Sequence, residues 1–176
     1  MDVMSRLENL LGAFSLTVAD RLVDQTNTHG LSASDHASLV TLFAHPDRPV
    51  SWLGDVLGLS SSGATRLVDR LVAAGLVTRV AASDSRERRL RLTAAGRRRA
   101  ATAVRERNET LASSLEVLTA AERRELERLL DRLVSSLATA RQPALQTCRL
   151  CDREACNSGG RACPLQHTVP EGDTHV

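Results

Sequence analysis

Four cysteines lie close together near the end of the chain, and they are the side chains best suited to chemistry. Cys148, Cys151, Cys156 and Cys163 are separated by two, four and six residues. Four thiolates at such short spacing can surround one tetrahedral metal ion. In a reducing compartment, a clustered set of this kind is more often metal-binding or redox-active than joined in structural disulfides. The sequence therefore predicts a metal or redox site.

The identity of the metal stays open. Zinc is the first choice, because four thiolates complete its shell and would fold a tail too small to have a core of its own, with Gly159 and Gly160 allowing the last turn. An iron-sulfur cluster is second, since it also uses four cysteines, and Cys163–Pro164 is similar to the end of a ferredoxin motif. Reversible disulfides or an inert tail are the alternatives, and His167 could replace one thiolate.

The charge of the chain is small in sum and uneven in distribution. The net charge is +2, but residues 78–107 contain ten Arg against three acidic residues, whereas residues 1–50 have a net charge of −3. Such asymmetry is typical of a surface that faces nucleic acid, because cationic side chains displace the counterions condensed on phosphates. A solvated basic helix would have the same pattern.

Composition favours helices. The apolar residues are mostly Leu, Val and Ala, with one Trp, two Phe and no Tyr. No stretch reaches the 18 apolar residues of a membrane span, and the N-terminal residues lack the pattern of a secretion signal, which predicts a cytoplasmic protein without a membrane contact.

Apolar periodicity and capping residues predict six helices. The first covers about residues 3–25. Predicted N-caps begin the others: Ser32 with Asp35 before a short helix that ends at His45, Ser51 before Trp52–Leu57, Ser60 before Ser61–Ala74, Thr93 before 94–116, and Thr119 with Glu122 before a helix to about 140.

The third and fourth predicted helices are separated by a short turn that contains Gly58. This is the helix-turn-helix arrangement, in which the second helix enters the major groove of DNA. Two short alternating segments follow, 76–80 and 90–92, and the polar residues 81–89 join them. They predict a β-hairpin with a basic tip.

Apolar stripes on the first and the last two helices exceed what a small winged unit can cover. We therefore expect them to pack against a second copy of the chain in a symmetric dimer. Pro143 is expected to end regular structure.

The order of these elements resembles the multiple antibiotic resistance regulator (MarR) family. The similarity is clearest over residues 57–96, LGLSSSGATRLVDRLVAAGLVTRVAASDSRERRLRLTAAG, with Asp84 and Arg86 at the wing tip and Leu92 to Gly96 at its exit. It covers about residues 3–140, and the cysteine-rich tail departs from it.

The resemblance implies a mostly α-helical fold, a winged helix-turn-helix with a small β-hairpin wing. Residues 1–30 and 97–142 would form the dimerisation region, 31–96 the DNA-binding lobe and 143–176 the tail. It further implies a homodimer that binds a pseudo-palindromic site on double-stranded DNA and commonly represses transcription until a small-molecule effector or an oxidant weakens binding.

Residues of the fourth helix and the wing are the expected DNA contacts. Ser61, Ser62, Thr65 and Arg66 would face base edges, with Ser60 and Arg70 at phosphates. At the wing, Asp84 would orient Arg86 for insertion into the minor groove, and Arg88 and Arg89 would touch the backbone. The alternative is that the small polar residues only cap and solvate an exposed helix, and that the arginines are a solvated face.

Other functions than DNA binding are compatible with parts of the sequence. His29, His36 and His45 are candidate effector contacts near the first two helices, although histidine is common at helix ends. A winged-helix dimer could instead act as a protein-interaction module or as a cluster-based redox or iron sensor. A thiol-redox enzyme acting through Cys148 and Cys151 would need a βαβ scaffold, which the pattern lacks. With no catalytic set in the sequence, we expect no enzyme.

Overall fold

The structure is a computed structural model that describes residues 5–27, 30–81 and 88–170. In these residues, helices dominate and a β-hairpin lies between the fourth and fifth of them, as predicted, while a third short strand precedes the third helix. The elements are α1 (Arg6–Asn27), α2 (Ala33–Ala44), β1 (Arg48–Pro49), α3 (Val50–Leu57), α4 (Ser61–Ala73), β2 (Val77–Ala81), β3 (Arg88–Leu92), α5 (Ala94–Ser114), α6 (Ala120–Ser136), α7 (Arg141–Thr147) and α8 (Arg153–Cys156).

Side-chain caps explain where most helices begin. Four predicted caps are confirmed: Ser32 and Thr119 form complete capping boxes with Asp35 and Glu122, and the hydroxyls of Ser60 and Thr93 accept the backbone N–H three residues on. The predicted cap at Ser51 was wrong. Pro49 is the last residue of strand β1 and precedes α3 without forming a side-chain cap. Ser51 already lies in the first turn of α3.

The sheet has three strands in the order β1-β3-β2, all antiparallel. The hairpin of β2 and β3 is the predicted wing, with Val77 opposite Leu92. The sequence did not indicate β1, because its two residues have no period to detect. Arg48 and Pro49 become a strand only by pairing with Leu90 and Arg89, which lie about forty residues further along the chain.

We call the unit from α2 to β3 the winged lobe. Its core is a cluster of aliphatic side chains from α2, α3, α4 and both long strands, together with Ala100 of α5. The largest fully buried members are Leu39, Leu42, Leu53, Leu67, Leu71 and Leu90. Helices α3 and α4 cross at Gly54, where an added Cβ would lie 2.9 Å from the Cβ of Ala64. Only small residues permit this crossing.

Helix α5 joins the winged lobe at a similarly close contact. The backbone N–H of Thr93 donates to the carbonyl of Leu76 at 3.0 Å, and the Thr93 hydroxyl donates to the carbonyl of Gly75 at 2.7 Å. An added Cβ on Gly96 would lie 2.0 Å from the Leu76 oxygen. The start of α5 therefore lies directly on the backbone that leads into β2.

Helices α1 and α6 leave large apolar side chains in solvent. No described residue of α1 is buried and none of α6 is. The exposed set is Leu7, Leu10, Leu11, Phe14, Leu16 and Val23 on α1, and Leu129, Leu130 and Leu133 on α6, followed by Leu137. Among the described residues, no helix combines the length and apolarity that a membrane crossing requires.

Regular structure continues beyond Pro143, so the predicted end there was wrong. Pro143 is the third residue of α7, and the first turn of a helix tolerates proline because its missing N–H would have no partner inside the helix. Two 3₁₀ turns, Ser158–Gly160 and Gln166–Thr168, follow α8. A second small core of Ala138, Ala144 and Leu165 connects residues 141–170, which we call the C-terminal segment, to the end of α6.

Candidate nucleic-acid interface

Helices α3 and α4 form the helix-turn-helix. Gly58 ends α3 in the left-handed conformation with φ 66°, which glycine adopts without the steric cost of a Cβ. The N–H of Leu59 then donates to the carbonyl of Gly54 at 2.9 Å, which closes the helix end. Ser60 follows at once as the cap of α4. The turn between α3 and α4 thus has the short length of the predicted helix-turn-helix.

Helix α4 has one buried face and one solvent face. The apolar residues Ala64, Leu67, Val68 and Leu71 are buried. The predicted base-reading residues lie together on the exposed side: Ser61, Ser62, Thr65 and Arg66. The Thr65 hydroxyl donates to the carbonyl of Ser61 at 2.9 Å, but a hydroxyl that donates within the helix keeps its lone pairs for an outside donor. The exposed face presents small polar groups beside two arginines, Arg66 and Arg70.

The two arginines of this face have different surroundings. Arg66 makes no hydrogen bond or ion pair with any residue that the structure describes, so its guanidinium is available to a ligand. Arg70 pairs with Asp35 of α2 at 3.1 Å, and the two side chains are 57% and 10% exposed. Asp35 also accepts from the backbone N–H and hydroxyl of Ser32. The sequence did not indicate this pair, because 35 residues separate its members.

The wing is only partly within the described residues. Asp84 and Arg86, the predicted clamp and minor-groove residue, lie outside them. Arg88 and Arg89 of β3 are exposed, which leaves them open to a phosphate backbone. Arg89 also donates to the carbonyl of Asp47 at 3.4 Å, so it is held beside β1.

Carboxylates offset part of the positive charge near the wing. Arg91 of β3 pairs with Asp47 at 2.7 Å, and Arg79 of β2 pairs with Asp69 of α4, also at 2.7 Å. Both pairs are at least partly exposed, which makes them weak contributors to stability. These pairs join the wing to α4 and to the residue before β1. Nothing local in the sequence indicates them.

A large open cleft of ≈ 960 Å³ lies between α2, α5 and α8. Phe43, Val104 and Ala112 supply apolar lining, and Asn108 and Arg153 supply polar groups. The predicted effector histidines do not line it: His36 is buried in α2, and His45 packs edge-on against Trp52 with ring centroids 5.5 Å apart. His29 lies outside the described residues.

The structure brings the four cysteines together. All four are free thiols, and all four line a single cavity of ≈ 50 Å³, which we call the cysteine cavity. His167 does not line it, because its ring nitrogens lie 3.2 and 3.1 Å from the carbonyl oxygens of Pro164 and Ala138. The described residues contain no three His, Cys, Asp or Glu side chains already arranged as a metal shell.

Comparison with known proteins gives one family. The family model that matches is that of the MarR family, over residues 29–89. No curated protein matches the chain.

Solved structures extend the likeness over most of the chain. A MarR family protein from Bacillus stearothermophilus is 29% identical, with a TM-score of 0.66 over 74% of this chain and 96% of its own. RV1404 from Mycobacterium tuberculosis is 27% identical, with a TM-score of 0.63 over 77% of this chain and 97% of its own. MepR, a transcription regulator of the Staphylococcus aureus multidrug efflux pump MepA, shares the fold at 16% identity, with a TM-score of 0.66 over 77% of this chain and 100% of its own.

These structures are covered almost completely, whereas about a quarter of this chain has no counterpart in them. The predicted fold is confirmed, and so is the family resemblance on which it was partly based. Residues 29–89 match the MarR family model, and the chain shares the winged-helix fold of solved MarR family proteins over about three quarters of its length.

Proposed function

We propose that the protein is a homodimeric repressor that binds a pseudo-palindromic operator in the cytoplasm. The observation that carries this proposal is the solvent face of α4, where Ser61, Ser62, Thr65 and Arg66 stand exposed on a helix whose opposite face is fixed in the core. A helix mounted in this way can enter the major groove without rearrangement of the winged lobe.

The apolar faces of α1 and α6 support the dimer. Leu10 and Phe14 of α1 are each 51% exposed, and Leu133 of α6 is 53% exposed. Aliphatic side chains repeated along two helices form a larger apolar surface than isolated exposed residues, and burying it against an identical surface would stabilise a dimer. A two-fold dimer presents two copies of α4, which is the reason for expecting a pseudo-palindromic operator.

The roles of the contact residues follow from their surroundings. We assign base contacts to Arg66 and the three hydroxyls of the solvent face, and phosphate contacts to Ser60, Arg70, Arg88 and Arg89. Asp84 and Arg86 keep the predicted minor-groove role. Because Asp35 holds Arg70 at one side, Arg70 suits a fixed position along the backbone better than a base edge.

Ligands would modulate this binding. We assign a small-molecule effector to the cleft between α2, α5 and α8, because its volume and apolar lining suit a compact organic molecule. A metal or redox event at the four cysteines is the second proposed input. Both sites border the winged lobe, so either could change its position relative to α5.

The first experiment is selection of duplexes from a randomised DNA library with the full-length chain. We expect an enriched sequence with two inverted half-sites about 10 base pairs apart, bound by two chains. Affinity for it should fall steeply with salt, by about 0.9 in log–log slope for each phosphate that an arginine neutralises. A reporter driven by a promoter that contains this sequence should be silenced when the protein is expressed.

Other outcomes would contradict the proposal. A monomer bound to one half-site would refute the dimer, and reporter activation would refute repression. Failure to enrich any sequence, with no salt-dependent binding of duplex DNA, would leave a protein-interaction module as the better description.

A further inference from the structure

We propose that Cys148, Cys151, Cys156 and Cys163 bind one Zn²⁺ ion, and that this ion fixes the C-terminal segment against the winged lobe. The metal site does not depend on the proposed function. Its effect on DNA binding rests on that function.

Local backbone structure gathers the four thiols. Cys148 ends α7, and the N–H of Cys151 donates to its carbonyl at 2.8 Å, so a tight turn places the first two cysteines side by side. Cys156 is the last residue of α8. Cys163 packs with Cys148 against the small core at the end of α6. Four cysteines from different parts of the C-terminal segment thus border one cavity.

The thiols already interact with one another. Cys151 donates a hydrogen bond to Cys148, which lowers the pKa of Cys148 and raises that of Cys151. Partial desolvation of its sulfur, together with the nearby thiols of Cys151 and Cys163, raises the pKa of Cys156 to about 11, although the residue as a whole is exposed. In the part of the chain that the structure describes, the four sulfurs are not already arranged as a metal shell, so an entering ion must draw them inward and release their protons to solvent. The cavity gives them the room to do so.

Positive charge surrounds the site. A Zn²⁺ ion with four thiolates carries a net charge of −2, which is costly to place in a partly buried cavity without compensation. Arg141 and Arg153 line the cavity, and Arg107 lies close enough to lower the pKa of both Cys148 and Cys151. These groups can balance the charge that the ion and its ligands would bring.

Size and spacing favour one ion. A cavity of ≈ 50 Å³ lined by four thiols has room for a single ion or a few water molecules. Intervals of two and four residues between successive cysteines match the short spacing of structural zinc sites. Four thiolate ligands suit Zn²⁺ better than Mg²⁺ or Ca²⁺, which prefer oxygen ligands.

Among the described residues, the same segment makes three polar contacts with the winged lobe and one with α5. Three bind helices of the winged lobe: the Thr41 hydroxyl of α2 donates to the carbonyl of Arg149 at 3.0 Å, Arg153 donates to the carbonyl of Ala44 at 2.9 Å, and the Gln146 amide donates to the carbonyl of Asp55 at 3.0 Å.

The fourth contact reaches α5, where the Asn108 amide donates to Asp152 at 2.7 Å. All the residues of the C-terminal segment that make these contacts lie within five residues of Cys148 or Cys151. An ion on the cysteines would therefore hold α2, α3 and α5 in the arrangement observed here.

The test begins with metal content. The full-length chain is purified under reducing, oxygen-free conditions with Zn²⁺ supplied, and zinc, iron and acid-labile sulfide are measured per chain. We expect one zinc in the wild type and less than a tenth of that in Cys156→Ser, whose position is exposed and whose helical circular dichroism should be unchanged. Ser158→Ala, an exposed change in the same segment, should keep its zinc.

Cobalt provides a second readout that does not depend on the variant folding. Co²⁺ added to the metal-free wild type should give the visible absorption of a tetrahedral four-thiolate site, and Zn²⁺ should abolish it. Iron with sulfide would overturn the zinc assignment in favour of a cluster. Absence of metal, with paired cysteines found by mass spectrometry, would overturn the metal site altogether.

Coupling to DNA is measured separately on the duplex selected for the wild type. Removal of zinc should weaken binding by about 5- to 150-fold, the usual range for coupled sites. In Gln146→Ala, which keeps the ligands and breaks the contact to α3, zinc content should stay at one while the effect of zinc removal shrinks. Equal affinity with and without zinc would refute the coupling, and loss of DNA binding in every form would refute the proposed function instead.

Discussion

Replacing Gly96 by Ala should destabilise the protein at the junction between α5 and the winged lobe. An added Cβ would lie 2.0 Å from the Leu76 oxygen, whereas real Cβ contacts essentially never fall below 3.0 Å. The two backbones must therefore separate by about 1 Å, which would stretch the 3.0 Å hydrogen bond from Thr93 to Leu76 beyond bonding distance.

The cost can be estimated from these contacts. Overpacking costs about 1–3 kcal/mol and a lost hydrogen bond about 1 kcal/mol, against a gain of about 0.5–1 kcal/mol for Ala over Gly in a helix. We expect a net loss of about 1–3.5 kcal/mol. At about 2–4 °C per kcal/mol for a chain of this size, the Tm should fall by about 2–14 °C.

Thermal unfolding followed by circular dichroism at fixed protein concentration measures this change. The matched control is Gly12→Ala in the middle of α1, where an added Cβ meets nothing within 4 Å, and which should be neutral or slightly stabilising. A Gly96→Ala protein that unfolds at the wild-type temperature would show that the junction yields freely, and would refute the close-contact argument.

Three further predictions concern the DNA face and the helix caps. Arg66→Ala should cost about 1–3 kcal/mol per half-site and relax selection at one base pair in fluorescence binding titrations, while Arg132→Ala on α6 should change neither. Asp35→Asn removes the partner of Arg70 and part of a capping box, so it should lower the urea midpoint by more than an exposed substitution does. Thr119→Ala should destabilise at neutral pH: because the hydrogen bond from Thr119 lowers the pKa of Glu122, this part of the stabilisation is complete above the ordinary value of 4.5 and is lost as pH falls through the lowered pKa. The gap between the two unfolding curves should therefore narrow in acid, down to the part that the cap from Thr119 to the Glu122 N–H contributes at any pH.

Local signals made the main helices and the wing predictable. The caps at Ser32, Ser60, Thr93 and Thr119 act within one turn, so their spacing alone locates four helix starts. Gly58 similarly indicates the turn of the helix-turn-helix, because a left-handed residue is needed to end α3.

Features that depend on distant pairing were not predictable. The two-residue strand β1 exists only because β3 pairs with it. For the candidate DNA face, periodicity located the exposed residues of α4, but nothing in the sequence showed that Asp35 holds Arg70. Pro143 was misread for a different reason: proline forbids a helix interior but permits a first turn, and a single sequence does not distinguish the two positions.

The small pair at the crossing of α3 and α4 has a mechanical consequence. Gly54 packs directly against Ala64, so no long side chain lies between the two helices at this point. A displacement of α3 is therefore passed to α4 almost unchanged, because no side chain there can change rotamer to absorb it. Helix α4 has 13 residues and is about 20 Å long. A tilt of about 10° about one end would carry the other end by roughly 3.5 Å, more than the tolerance of a hydrogen bond to a base. Small displacements of α3 are thus amplified by leverage at the tip of α4.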